Sequence, residues 1–272
     1  MTKLSFGPFG ITTGLTSSPE SLEAARIAEE LGYPAIWLSG GPMTDLQTIH
    51  DLVEATSTIK FVSGILAVDT YTPEEVSALY KTLESAHPGR FTVGLGGAHG
   101  PKPLATLNQF LDQLDGVPVE HQLLAALGPR MLKLARERTS GAYPFLVTPE
   151  YTAEARATLG TDKLLSVSHL TVVETDAERA RAIAREPISF FTTLPGYAAS
   201  LRRMGFSDSD LSELPDHMVD ALTAWGTPDQ IADKLREHLT AGADHVAINI
   251  LTGVTGPQPI DQWRTLAPVL LS

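Results

Sequence analysis

Short runs rich in Val, Ile, Leu and Phe recur along the chain, separated by stretches whose apolar residues return at helical spacing. The runs predict strands at Leu4–Thr12, Ala35–Ser39, Ile59–Leu66, Phe91–Gly96, Gln122–Ala126, Ala142–Val147, Leu164–Val173 and His245–Leu251. They lack strict alternation, as expected of a parallel sheet covered on both faces. The intervening stretches carry helix punctuation. Ser18-Pro19-Glu20 opens a helix that places Leu22, Ala25, Ile27, Ala28 and Leu31 on one face and stops at Gly32. Thr72-Pro73-Glu74-Glu75 opens another, striped by Val76, Leu79, Tyr80 and Leu83. Gly226-Thr227-Pro228-Asp229 opens a third, with Ile231, Leu235 and Leu239 inward and Gly242 past its end.

Most strands start roughly 20–30 residues apart, the length of one βα unit. The interval from Val173 to His245 is longer. It holds helical pieces at Ala177–Arg185, Gly196–Met204 and Pro215–Trp225, which read as a helical insertion between strands 7 and 8 over one barrel rim. Strict alternation of eight strands with helices favours a closed (β/α)8 TIM barrel over an open doubly wound sheet. No GxGxxG opens the first βα unit, which argues against a dinucleotide-binding fold. No linker or low-complexity tract divides the chain, so residues 1–272 are expected to form a single α/β domain.

Composition narrows the functional classes. The 272 residues carry a formal net charge of −12, which argues against a nucleic-acid or anionic-membrane partner, because phosphate neutralisation needs clustered Lys and Arg. Zero cysteines exclude disulfides, thiolate ligands and a Cys nucleophile. No signal peptide and no spanning segment is predicted, so the expectation is a soluble cytoplasmic protein with a small-molecule substrate. A homodimer is one open option for its assembly.

In a parallel barrel, ligands sit beyond the C-terminal strand ends. Those ends read Ser39-Gly40-Gly41, Gly64-Ile65, Gly97-Ala98-His99, Leu127-Gly128-Pro129 and Asn249. Glycine lets backbone approach a flat ring or a phosphate closely; each glycine taken singly reads better as a tight turn, and their concentration at one rim is what points to a ligand. In Ala126-Leu127-Gly128-Pro129-Arg130, Pro129 fits a first helical turn, leaving free N–H groups as an anion site with Arg130 as a supplementary charge; an ordinary helix start with a solvated arginine is the alternative. His99 follows a strand end directly and is the candidate catalytic residue, orienting a ring or handling a proton, with a loop histidine of no catalytic task as the alternative. His50, His87, His121 and His169 read as surface, packing or opposite-end residues. Asp45, Asp69 and Glu150 follow strand ends and read as solvated loop charge. No HxH or HExxH pattern points to a metal, and no GxSxG is present.

Beyond these local readings, the run from Tyr71-Thr72-Pro73-Glu74-Glu75 through Ala86-His87-Pro88-Gly89-Arg90-Phe91-Thr92-Val93-Gly94-Leu95-Gly96-Gly97 resembles the luciferase-like monooxygenase superfamily at its third helix and fourth strand. Leu124 through Ala135 is similar to that superfamily's fifth strand, phosphate loop and helix. Thr148-Pro149-Glu150, Ala155 to Gly160, Leu201-Arg202-Arg203-Met204-Gly205-Phe206 and Ala241 to Val246 resemble an actinobacterial subgroup of oxidoreductases that use the deazaflavin coenzyme F420.

The resemblance implies a luciferase-like barrel with a non-prolyl cis peptide at Gly64-Ile65, against which a flavin-type ring rests. It further implies ring and ribityl contacts at Gly97, Ala98 and His99, and a phosphate loop from Ala126 to Arg130. Relatives often carry an acidic residue and a histidine at the end of the second strand, where this chain reads Leu38-Ser39-Gly40-Gly41. The implied activity is hydride transfer between the deazaflavin C5 and a small organic substrate. The competing readings are an FMN-dependent monooxygenase and a non-catalytic flavin-binding protein.

Overall fold

The computed structural model describes residues 3–39, 45–98, 100–254 and 256–272. Strand β1 (Phe9–Thr13) leads through α1 (Pro19–Glu30) to β2 (Ala35–Ser39), and α2 (Gln47–Ala55) leads to β3 (Lys60–Gly64). Ile65 interrupts the third barrel strand, which resumes as β4 (Leu66–Ala67). Then follow α3 (Pro73–Ala86), β5 (Phe91–Gly96), α4 (Pro103–Gln113), β6 (Gln122–Leu124), α5 (Pro129–Arg138), β7 (Gly141–Ala142), α6 (Pro149–Leu159) and β8 (Leu164–Val172). A helical stretch, α7 (Ala177–Thr192), α8 (Pro195–Arg203), α9 (Asp208–Glu213) and α10 (Asp216–Leu222), precedes β9 (Thr223–Trp225). Helix α11 (Pro228–Thr240), β10 (His245–Ile250) and α12 (Ile260–Leu270) complete the chain.

Every strand pairing is parallel. β10 bonds both β1, with Phe9 opposite Val246, and β8, with His245 opposite Ser166, so the sheet closes on itself. The result is an eight-stranded (β/α)8 barrel in which β3 and β4 count as one strand. β9 adds to the C-terminal end of β8, with Leu170 opposite Thr223.

Local chemistry sets the helix starts. The Thr72 hydroxyl accepts from Glu75 N while the Glu75 carboxylate accepts from Thr72 N, and Thr227 with Gln230 repeats the arrangement. Two apolar layers follow from strand alternation. The outer layer, between strands and helices, holds Ile11, Leu38, Phe61, Val93 and Leu95. The interior holds Phe6, Trp37, Val62, Leu123, Tyr143 and Leu164. A further core joins α7, α8, α9 and α10 to Leu170 and Val172 of β8.

Several boundaries differ from the sequence reading. β1 starts at Phe9 rather than Leu4, because the preceding segment turns through Gly7 at positive φ and Pro8 has no N–H to donate. The sixth barrel strand is only Gly141–Ala142. Buried Leu146 takes a positive φ that bends the chain out of the strand, leaving one isolated bridge from Phe145 to Ser168. Helix α7 runs through Pro187 to Thr192. The end of the expected helix Pro215–Trp225 is strand, since Thr223 and Trp225 suit an extended edge beside β8.

The conspicuous Gly89-Arg90 motif is structural. Arg90 is buried, and its guanidinium donates to the Ile59 carbonyl at 2.7 Å and to Thr56 Oγ1 at 2.7 Å at the base of the barrel.

Candidate active site

The floor of the mouth is a bonded aromatic plug. The Tyr143 ring stacks on Trp37 at 4.1 Å and 17°. Trp37 Nε1–H donates to His245 Nε2 at 3.0 Å, and His245 Nδ1–H then donates to the Gly7 carbonyl at 2.7 Å. Burial lowers the His245 pKa to about 4, against the raising effect of the Gly7 bond, so the imidazole is neutral. Tyr143 Oη lies 3.0 Å from Thr12 Oγ1. Burial pushes its phenol up to about 12, opposed by hydrogen bonds to Ser168 and Thr12.

Above this plug, the described part of the rim from β2 to β6 is built mostly from backbone and small residues. The Gly64–Ile65 peptide is cis, as the resemblance implied. The space beside Gly64 is occupied from below: an added Cβ would lie 3.1 Å from Tyr143 Cε1. This glycine therefore accommodates the plug beneath it. At Gly96 a Cβ would lie 3.1 Å from Ile65 Cγ1 and 2.9 Å from the Ala125 Cβ, so the Ile65 side chain lies across the end of β5. Ser39, Gly97 and Ala98 are half-buried at neighbouring strand ends. Gly40 and His99 lie outside the described residues.

The junction into α5 has the expected form. Gly128 is the N-cap with extended backbone and no side-chain cap, and Pro129 opens the first turn, so the first amides of α5 have no intrahelical partner. Leu127 and Gly128 are half-buried and Arg130 is exposed. Ala126 contributes backbone only, its side chain packing in the outer layer. Tyr151 Oη lies 3.1 Å from the Ala126 carbonyl and 2.9 Å from the Leu127 carbonyl, which fixes the loop.

A cation that sequence reasoning had not assigned to the site also arrives here. Arg203, from the end of α8, donates to the Leu127 carbonyl at 3.3 Å and stands 3.7 Å from where a Gly128 Cβ would be. Its motif, Leu201-Arg202-Arg203, was legible in the sequence; its reach over the α5 loop depends on how α8 packs.

The rim at β7 and β8 has the opposite character. Phe145, just past β7, meets Phe191 of α7 at 4.9 Å and 79°, and Phe191 meets Tyr197 of α8 at 4.8 Å and 55°. Behind this rim, on the outer face of β8, His169 contacts His238 of α11 at 4.7 Å between ring centroids. Both are fully buried. Thr152 Oγ1 donates to the Thr148 carbonyl and accepts from His238 Nδ1–H at 2.8 Å, while His238 Nε2 and both ring nitrogens of His169 have no partner. His121 caps the opposite end, its Nδ1 2.9 Å from Tyr80 Oη. Glu150 is exposed in the first turn of α6, where its own backbone amide and then Thr148 lower its pKa. Among the described residues, no group of three or more His, Asp or Glu side chains is placed to hold a metal ion.

This arrangement can be compared with known proteins. An uncharacterised Bacillus subtilis protein, YwcH, is 29% identical over 99 residues, a match spanning 34% of this chain and 29% of that relative. The match thus covers less than a third of the relative's length. An F420-dependent secondary alcohol dehydrogenase in complex with an F420–acetone adduct superposes with a TM-score of 0.74 at 14% identity, over 99% of both chains. The FMN complex of the oxygenating constituent of 3,6-diketocamphane monooxygenase from Pseudomonas putida superposes with a TM-score of 0.66 at 14% identity, over 97% of both chains. The luciferase-like monooxygenase model matches residues 3–116 and 101–245, across both the backbone-built rim and the α5 junction. The chain belongs to the luciferase-like monooxygenase family.

Proposed function

We propose that this protein is an F420-dependent oxidoreductase acting on a small organic molecule. The observation that carries the reading is the uncapped N-terminus of α5, with Arg203 beside it. Free amides at a helix start and a guanidinium of partial commitment suit a phosphate, and a chain of net charge −12 has few other cations to offer one. The donor set fits the phosphate-bearing tail of a flavin or deazaflavin. In this reading Leu127, Gly128, Pro129 and Arg130 surround the phosphate, with Ala126 adding backbone. Ser39, Gly40, Gly64, Ile65, Gly97, Ala98 and His99 border the ring and its chain.

When bound, a deazaflavin supplies or accepts a hydride at C5. The chain's own residues orient and exclude. Ile65, lying across Gly96, presents an apolar ledge to a ring face. The Trp37–Tyr143 plug closes the barrel beneath and keeps water out. The full-chain likeness to an F420-dependent enzyme supports the deazaflavin over FMN only together with the subgroup motifs around Arg203 and Asp244. No described helix is long and apolar enough to cross a membrane.

Fluorescence titration tests the choice. The deazaflavin should bind at least about tenfold more tightly than FMN, a difference of about 1.4 kcal/mol. Equal or reversed affinities would move the assignment to an FMN-dependent monooxygenase. Binding without turnover of any carbonyl or alcohol substrate would leave a flavin-binding protein.

A further inference from the structure

The aromatic side of the mouth carries information about substrate. Phe145, Phe191 and Tyr197 come from three elements and meet in a single cluster, the Phe145 and Tyr197 centroids 6.1 Å apart. All three are half-buried: they pack against the core of the helical stretch and keep accessible surface. Tyr197 also lies near enough to the barrel for the Tyr143 phenol to influence it electrostatically. Burial raises its pKa, so the phenol stays protonated. The Tyr197 hydroxyl makes no hydrogen bond among the described residues, whereas Tyr143 is engaged by Thr12 and Ser168. Tyr197 is therefore the phenol with a free donor.

Among the described residues, the inward strand-end positions elsewhere around the mouth are uncharged. Alternation from inward Trp37 and Ala247 makes Ser39 and Asn249 inward as well, and Thr12, Gly64 and Gly96 complete the set. Arg203 stands at the α5 loop, where the phosphate reading already uses it. A carboxylate or ammonium entering beside the aromatic cluster would lose hydration without a partner of opposite charge among the described residues.

We propose that the β7–β8 side of the mouth is the substrate subsite, shaped for an uncharged carbonyl or hydroxyl compound with an aromatic or compact apolar body. Phe145 and Phe191 flank the body, and the Tyr197 hydroxyl donates to the substrate oxygen. This subsite rests on the cofactor reading only for what it sits beside.

Three probes of one shape test it: acetophenone, ethylbenzene and benzoate. Their binding to the full chain is followed by saturation-transfer NMR, with and without coenzyme F420. Acetophenone should bind at least about tenfold more tightly than benzoate, since burying an unpaired carboxylate is costly. Tyr197→Phe should weaken acetophenone about threefold to tenfold, the range of one net hydrogen bond, and leave ethylbenzene unchanged. Phe191→Leu should weaken both neutral probes. Benzoate binding as well as acetophenone, indifference of acetophenone to Tyr197→Phe, or failure of every probe to bind would overturn the subsite. Melting curves check that both variants fold. Cofactor titration of the same samples separates the two proposals: intact cofactor binding with failed probes sinks the subsite alone, and selective probe binding without cofactor binding sinks the cofactor assignment alone.

Discussion

The two sides of the mouth are made differently. From β2 to β6 the described rim is mostly backbone and small side chains, over strands pressed together so closely that a Cβ at Gly94 would sit 2.0 Å from the Ser63 carbonyl oxygen. From β7 to β8 it is large side chains, brought in by α7 and α8 from outside the barrel. Their supports differ too. Under the first side, His245 has both ring nitrogens bonded; behind the second, His169 and His238 leave three nitrogens unpaired. A rim made of backbone cannot be changed without moving strands, whereas one made of helix-borne side chains can be redecorated in place. The first suits a fixed cofactor, the second a variable substrate.

Acid should weaken both supports, since His245, like His169 and His238, is held neutral by burial, and removing a histidine should separate them most strongly. Burial, then the nearby His238 and Lys234, holds the His169 pKa well below its usual value; burial, then Lys234, lowers His238 to about 4. A histidine neutral in the fold but protonated when unfolded contributes stability fully above pH 6.5 and loses it as pH falls toward the folded pKa. Each such group costs about 1.4 kcal/mol per pH unit in that window, so chemical denaturation at pH 5 should show a loss of several kcal/mol relative to pH 7.5. His169→Leu, which removes two unpaired buried nitrogens, should flatten this slope and cost little at pH 7.5. His245→Leu should destabilise at both pH values, because it leaves the Trp37 indole N–H and the Gly7 carbonyl unpaired. Equal behaviour of the two variants would erase the contrast between the supports.

Next in size is Gly94→Ala. Its methyl would meet the Ser63 carbonyl, a backbone atom held in the sheet, and the strands must part to admit it. A loss of about 3 kcal/mol or more is expected, at or above the upper end of core overpacking, read as a large drop in melting temperature or loss of soluble protein. Phe191→Leu on the other side should cost about 1 kcal/mol, since a half-buried ring is shortened without leaving a sealed cavity. A Gly94→Ala protein that melts with the wild type would show that the first side is no more rigid than the second.

The same contrast explains what was legible in the sequence. The backbone-built side announces itself locally. Ala35–Ser39 and Phe91–Gly96 were read at their observed limits because uninterrupted apolar runs admit one pleated, doubly buried solution. The α5 junction was readable because Gly128 and Pro129 encode a helix start directly. The side-chain-built rim depends on tertiary packing. Nothing local tells that Tyr143 would fill the space beside Gly64, that Tyr197 would meet Phe145 and Phe191, or that Arg203 would meet Leu127 from a helix 76 residues away. The strand before Phe145 was overextended because the left-handed turn at Leu146 carries no glycine to mark it.

A smaller effect is expected at Gly128. Its backbone is extended, φ −99° and ψ 156°, and an added Cβ meets only the tip of Arg203 at 3.7 Å, so Gly128→Asp should fold. Asp is a good N-cap, and its carboxylate would occupy the same free amides that the phosphate reading assigns to the cofactor. The melting temperature should hold or rise slightly while cofactor affinity falls about thirtyfold, near 2 kcal/mol. Wild-type affinity in the folded variant would return the junction to an ordinary helix start.

The smallest effect compares two arginines at that junction. Arg130 lies in the first turn of α5, where the helix dipole is positive at its N-terminus and a cation is mildly disfavoured. Arg203 comes from another helix, and its guanidinium already points at the loop, held by one long bond to the Leu127 carbonyl. Its remaining donors are free to turn toward an anion, as a planar fork does well. Arg203→Ala should therefore weaken cofactor binding by about 1 kcal/mol, the upper end for an exposed pair, with the loss shrinking as salt is raised. Arg130→Ala should cost less than half of that and should slightly stabilise α5. Titrations of both variants at low and high ionic strength, alongside melting curves, give the comparison directly. A larger loss at Arg130 would mean that the anion is held by the loop's own first turn, and α8 would then serve the substrate side alone.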